Sequence, residues 1–235
     1  MILKINNLCK SYGNKDVLKN VNLTLNDDEI ISIVGKSGCG KSTLLNIIAG
    51  IDKDYSGDVN VYRELSYMLQ DDALFLYMNN LDNALLGLKI KRKINDKSLI
   101  LAKNYFNKYK ILNYMYKKPQ DMSGGMRQRL ALIRTLMVNP DFILLDEALS
   151  KLDFFTKLQI ENDIYSEIRD NKKSAIIVTH DIEEAVSMSD KVYLLKNGNL
   201  KRYDINRSWN NPEDARSNKD FRSYVKKILE AFHED

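Results

Sequence analysis

The sequence predicts an α/β fold: a mostly parallel sheet with flanking helices, an antiparallel β part at the N terminus and an inserted helical subdomain. Three observations carry this expectation. The short apolar runs Ile30–Val34, Phe142–Leu145 and Ala175–Val178 have the length and composition of strands buried on both faces. Helical stretches, Lys41–Ala49 and Phe154–Arg169, follow two of them, giving the strand–helix alternation of parallel sheets. From Asp82 to Leu136 strand signals stop and a helical period takes over, which marks an insertion near residues 76–135.

The elements follow in order. Ile2, Leu3, Ile5 and Leu8 form an apolar opening read as an edge strand, ending at the turn Tyr12-Gly13-Asn14. Val21, Leu23 and Leu25 alternate with polar neighbours as in a half-buried strand. Asn26-Asp27-Asp28 turns the chain into Ile30–Val34, which Gly35–Gly40 breaks before a helix closed by Gly50. Leu65–Leu69 is strand-like. Leu99, Ala102, Phe106, Tyr109 and Leu112 recur at three and four residues, and Pro119-Gln120-Asp121 interrupts the helical stretch. A further helix runs from Ser123 towards Val138 and stops at Asn139-Pro140. Lys191–Leu195 is the last strand signal, turned at Asn197-Gly198. In the tail, Phe221, Tyr224, Val225, Ile228, Leu229 and Phe232 form one helical stripe opposite Lys226 and Lys227. The expected division is a core of residues 1–75 and 136–204, a helical subdomain of residues 76–135, and a helical tail of residues 205–235.

Composition limits the function classes. With 235 residues, 44% of them apolar, the chain buries a sizeable core and is not disordered. No apolar run approaches the roughly 20 residues of a membrane-spanning helix, and MILKINNLCK has no apolar signal region. Cys9 and Cys39 make no disulfide framework, so a reduced chain is expected. The net charge of +4 is uneven: Leu86–Lys118 holds ten Lys/Arg against Asp96 alone, leaving the remainder acidic. A general nucleic-acid binder would be basic more broadly. The basic lobe reads either as a surface for anionic headgroups or as a solvated helix face.

Half of the ten glycines fall in two clusters. The first, Gly35-Lys36-Ser37-Gly38-Cys39-Gly40-Lys41-Ser42-Thr43, matches the phosphate-loop pattern in the required place, after a buried strand and before a helix. Its glycines let successive N–H groups turn towards phosphate, and the helix dipole adds to that field. Lys41 is expected to reach the β- and γ-phosphates, and the Ser42 hydroxyl to ligate Mg²⁺. The N–H groups around Cys39 are expected to favour its thiolate, so that alkylation blocks nucleotide binding and bound Mg-nucleotide protects. Phe142–Leu145 ends in Asp146-Glu147, which places a carboxylate at the sheet edge beside that loop. Asp146 is expected to hold Mg²⁺, and Glu147 to orient or deprotonate the attacking water. The second cluster is Ser123-Gly124-Gly125, where Ser123 caps a helix and two glycines expose N–H groups at its positive end. Two glycines in a first turn cost stability that a plain capped helix does not require.

In this order the motifs resemble the ATP-binding cassette (ABC) family of transporter ATPases, over about residues 1–205. The resemblance implies a RecA-like phosphate-loop core that binds ATP with Mg²⁺. It implies a head-to-tail dimer with a second copy, in which Ser123, Gly124 and Gly125 cap the γ-phosphate held by the other subunit. Tyr12 sits where the family keeps an aromatic that stacks on adenine. Gln70 is similar to the residue that touches Mg²⁺ and the lytic water and couples to the membrane subunit. His180 resembles the switch histidine at the γ-phosphate, and Asp153 the residue of the loop that crosses the dimer interface. Met122, Met126, Ala148 and Lys151 depart from the commonest residues at their positions, without removing a phosphate-contacting group.

Ser123–Arg129 with Gln70-Asp71-Asp72-Ala73-Leu74 looks most like the nitrate/sulfonate/taurine importer branch, although Leu76-Tyr77 stand where that branch has Pro-Trp. Importers of vitamin precursors are the neighbouring possibility. The implied partners are separate membrane permease subunits and, through them, a solute-binding protein, at the cytoplasmic face of the membrane; nucleic acid is not expected. An exporter ATPase or a non-transport ABC ATPase is the alternative. A GTPase is disfavoured, because neither Asn171-Lys172 nor Asn218-Lys219 has an Asp two residues after the Lys, as the Asn-Lys-x-Asp guanine reader requires.

Overall fold

The computed structural model describes residues 1–234. Strands β1 (Leu3–Tyr12) and β2 (Lys15–Leu25) form a hairpin over Gly13-Asn14, and β3 (Ile30–Val34) runs into α1 (Lys41–Ile48). Next come β4 (Ser56–Val61), β5 (Leu65–Met68) and the helices α2 (Asn80–Ile90), α3 (Asp96–Lys108) and α4 (Gly124–Met137). The chain then alternates through β6 (Phe142–Asp146), α5 (Phe154–Asp170), β7 (Ser174–Thr179) and α6 (Ile182–Met188). A closing hairpin of β8 (Lys191–Lys196) and β9 (Asn199–Asp204) precedes α7 (Pro212–Ala215) and α8 (Lys219–His233).

Two sheets result. The larger has strand order β5-β6-β7-β3-β8-β9, parallel except for β9. β3, β6 and β7 are buried along their whole length, as their mostly apolar runs require, and the polar residue inside β3, Ser32, is paired with the Ser189 hydroxyl. The smaller sheet is antiparallel with order β2-β1-β4. The N-terminal strand is therefore central, not at an edge. Its other partner, β4, has no buried residue and no alternation to betray it. Gly57 allows that pairing: its φ is +96°, and a Cβ there would lie 2.4 Å from the Asn7 carbonyl oxygen.

One core layer joins the small sheet and α1 to one face of the large sheet, around Ile5, Leu23, Leu44 and Ile176. A second joins α2, α3, α4 and α5 to the other face, around Phe106, Ile133, Ile143 and Ile164. The third holds α6 and α8, with Trp209 and Phe221 edge to face at 5.9 Å.

Two apolar stripes read from spacing are displaced. In α3 the buried residues are Ser98, Ala102, Tyr105 and Phe106, whereas Leu99 is 40% exposed. The reciprocal cap between Asn95 and Ser98 sets the start of this helix and turns Ser98 inward. In α8, Leu229 faces solvent while Ala231 is buried. Among the described residues, no helix is long and apolar enough to cross a membrane.

Candidate nucleotide site

The carboxyl ends of the parallel strands β3, β5, β6 and β7 bring Gly35–Thr43, Gln70, Asp146, Glu147 and His180 to one edge of the large sheet. From β3 the chain enters Gly35–Gly40, with Gly38 at φ +73° and Gly40 at +108°. A Cβ on Gly40 would sit 2.6 Å from Cγ1 of Val17, so the loop packs directly on β2. Lys41 is buried at the start of α1, and its ammonium donates to the carbonyls of Gly35 (2.8 Å) and Lys36 (3.1 Å). These bonds hold the loop closed around its own lysine.

Beside the loop lies a cleft of about 280 Å³, lined by Tyr12, Lys15, Val17, Ser37, Gly38, Gly40, Lys41, Ser42, Thr43, Gln70 and Glu147. Lys15 and Val17 have no motif; they reach the cleft because the β1–β2 hairpin folds over it. Gly35, Lys36 and Cys39 shape the loop without lining the cleft. Tyr12 stands at the cleft's mouth, about half exposed.

Asp146 ends β6, nine-tenths buried or more, and accepts from the Tyr67 hydroxyl at 3.2 Å through Oδ2. Its Oδ1 is buried without a partner. Burial pushes this carboxyl above the usual carboxylate range, against the downward pull of the Ser42 and Tyr67 hydroxyls. A buried, unpartnered carboxylate oxygen beside a hydroxyl is a donor set that fits a divalent cation.

Glu147 follows in the left-handed region at φ +47°, held there by its N–H donating to the Val178 carbonyl at 2.8 Å. This turn aims its carboxylate at two other nominated residues. Oε2 accepts from Gln70 Nε2 at 3.2 Å and lies 3.6 Å from Nδ1 of His180. Three side chains from separate strand ends thus meet next to the phosphate loop. Gln70 is steadied from α4: Arg134 donates to the carbonyls of Asp72 (2.6 Å) and Ala73 (2.7 Å), and Arg127 to the Asp72 carboxylate at 2.9 Å. Arg127 lies within the Ser123–Arg129 segment, whereas Arg134 carries no sequence signal beyond helical spacing.

Ser123 caps α4, accepting from the Met126 N–H at 3.3 Å. Ser123, Gly124 and Gly125 do not line the cleft of their own chain. From the same helix, buried Gln128 donates to the Glu147 carbonyl and accepts from the Lys151 N–H, each at 3.2 Å. Asp153 caps α5 through the Thr156 N–H, which holds its carboxyl below the usual range.

The expectation for Cys39 is corrected. Burial pushes the thiol up and outweighs Lys41 and the backbone N–H groups, so the thiolate is disfavoured. The side chain packs against the core layer beneath the loop and does not face the cleft.

A sequence model described as ABC transporter matches residues 18–150. An uncharacterized ABC transporter ATP-binding protein of Bacillus subtilis is 40% identical over 77% of this chain and 72% of its own length. An aliphatic sulfonates import ATP-binding protein of Shouchella clausii is 40% identical over 88% of this chain and 82% of its own. A spermidine/putrescine import ATP-binding protein of Pasteurella multocida is 34% identical, and the chain spans 57% of its length. Among solved structures, the dimeric cassette MJ0796 in a post-hydrolysis state with ADP and Pi superposes with a TM-score of 0.81. It is 29% identical, over 88% of this chain and all of that one. With the family model covering more than half of its length and relatives at 40% identity, the chain belongs to the ABC transporter family as an ATP-binding cassette, an ATPase.

Proposed function

We propose that this ATPase powers import of a small solute through separate membrane permease subunits at the cytoplasmic face of the membrane, with a solute-binding protein delivering cargo to the permease. The names of its relatives support the importer direction: sulfonate, polyamine and, in a Synechocystis relative 33% identical, bicarbonate. A sulfonate- or nitrate-like anion, or a vitamin precursor, is the favoured class of cargo.

The observation that carries the catalytic reading is the meeting of Gln70, Glu147 and His180 beside the phosphate loop. In this reading the N–H groups from Gly35 to Thr43 and the Lys41 ammonium bind the β- and γ-phosphates, releasing Lys41 from the loop carbonyls it now bonds. Tyr12 stacks on the base. Glu147 takes the proton of the attacking water, with Gln70 fixing that carboxylate and His180 reaching the γ-phosphate. Ser42, Gln70 and Asp146 would hold Mg²⁺, for which the unpartnered Oδ1 of Asp146 is the fitting donor. When bound, the cation neutralises charge on the phosphate oxygens.

Ser123, Gly124 and Gly125 stand outside their own cleft, and a second copy supplies them to complete each site. The dimeric form of the MJ0796 cassette supports this pairing. The three-part division into core, residues 76–135 and tail belongs to the same reading: α2 and α3 form the lobe towards the permease.

Glu147→Gln tests the reading. The variant is expected to bind ATP with unchanged affinity, to lose turnover, and to accumulate as an ATP-bound dimer in size-exclusion chromatography. Near-normal hydrolysis by this variant would overturn the assigned base.

A further inference from the structure

Lys10 lies two residues before Tyr12 on β1, so both side chains project from the same face of the strand. A lysine near the end of a surface sheet is ordinarily solvated, yet the Lys10 side chain is 3% exposed. Its ammonium donates to Asp52 Oδ1 at 3.0 Å and to Asp54 Oδ2 at 3.3 Å, and also meets the Asp54 carbonyl. It sits over the Tyr12 ring, 4.7 Å from the centroid, within cation–π range. The other oxygen of Asp52 accepts from the Tyr12 hydroxyl at 3.0 Å. Asp52 therefore holds the ring by its hydroxyl and, through Lys10, by one face.

Asp52 is itself anchored. Its N–H donates to the carbonyl of Asn46 at 3.2 Å, in the last turns of α1. The N terminus of that same helix carries Lys41, Ser42 and Thr43. The base end and the phosphate end of the cleft are thus tied to one rigid element.

We propose that Lys10 and Asp52 are positioning residues for Tyr12, fixing its ring so that the uncovered face receives the base of a purine nucleoside triphosphate. The inference rests on the reading that Tyr12 meets the base. An exposed tyrosine free to rotate would lose side-chain entropy on stacking, and a ring already held loses little. Lys10 blocks one face, so stacking is directed to the other. The contribution of both residues falls on the base and leaves phosphate binding untouched.

The test compares dissociation constants for ATP and for inorganic tripolyphosphate, which has no base. Tyr12→Ala is expected to weaken ATP about tenfold or more, in keeping with aromatic–base stacking, and to leave tripolyphosphate within twofold. Lys10→Met is expected to weaken ATP about three- to tenfold, also without change for tripolyphosphate. Tyr12→Phe keeps the ring and removes only its tether to Asp52; a loss of about two- to fivefold for ATP alone is expected. The double variant Lys10→Met with Tyr12→Ala should bind ATP no more weakly than Tyr12→Ala.

Tripolyphosphate binding reports an intact phosphate loop in each preparation. Equal weakening of both ligands by Lys10→Met, or additive losses in the double variant, would overturn the positioning role. ATP affinity unchanged in Tyr12→Ala would instead overturn the base contact itself, an arm in which Lys10 is untouched.

Discussion

Glu161 offers the sharpest test of the fold's electrostatics. It lies on α5 one turn after Lys157, has no exposed surface, and pairs with Arg216 Nη2 of the tail at 2.6 Å. Its second oxygen has no partner. Buried Glu184 on α6 adds a like charge, while the Lys157 ammonium is engaged at 2.7 Å by both Asp181 and Glu184. Burial is the largest influence and pushes the Glu161 carboxyl from 4.5 up to about 7, despite Arg216.

Between these two values the native state keeps a proton that the unfolded chain has released. Stability from this group is therefore complete below about pH 4.5 and is lost as pH rises through 7. At about 1.4 kcal/mol per pH unit, the loss amounts to roughly 3 kcal/mol.

Glu161→Gln removes this titration while keeping the side chain's shape. Arg216 is not stranded by the change: it also donates to the Pro212 carbonyl at 2.9 Å, and its side chain is 21% exposed. Glu184, pushed up by its own burial, loses a like-charged neighbour, which acts in the same direction. Urea unfolding of both proteins across pH 4.5 to 8 reads the difference, and groups common to both cancel to first order. Stabilities should nearly coincide at the acid end, with the variant ahead by about 2–3 kcal/mol at pH 8. A difference that stays flat, or a variant weaker at pH 8, would show that the Arg216 pair outweighs the burial of the charge and refute the reasoning.

Four further outcomes are expected. Gly87→Ala brings a Cβ to 2.3 Å from Cγ1 of Val138 and should cost about 1–3 kcal/mol in thermal unfolding, recovered in part by adding Val138→Ala. Phe142→Ala empties a fully buried site on β6 and should cost about 3–5 kcal/mol by urea titration. Arg134→Met frees the carbonyls of Asp72 and Ala73, and turnover should fall about tenfold with ATP affinity within twofold, since Gln70 loses its support while the phosphate loop does not. Maleimide should label Cys39 slowly at pH 7 and about tenfold faster for each pH unit up to 9, because burial keeps the thiol protonated; ATP should slow the labelling by rigidifying the loop over it.

The parts of this molecule that were legible in the sequence are those whose physics is local. The phosphate loop reads directly because its closing contacts, Lys41 to Gly35 and Lys36, span five or six residues, and because a strand, glycines and a helix must follow one another to build it. Buried strands read equally well, since complete burial writes an unbroken apolar run. β4 wrote nothing: it is held by backbone pairing to β1 and exposes its side chains, so the place of β1 in the small sheet was lost with it. Leu99 misled because capping fixed the rotation of α3, and a helix with apolar residues on several sides has no unique stripe. The supports of the site are more distant still. Gln70 meets Glu147 across 77 positions, Lys10 meets Asp52 across 42, and Glu161 meets Arg216 across 55. A lysine in a strand and a glutamate in a helix each look like ordinary solvated surface until a distant segment arrives to bury them. Motifs therefore name the atoms that touch the nucleotide, while the fold decides which charges lose water to hold those atoms still. Substitutions at Lys10, Arg134 or Glu161 leave every motif intact, and they separate that second layer of control from the first.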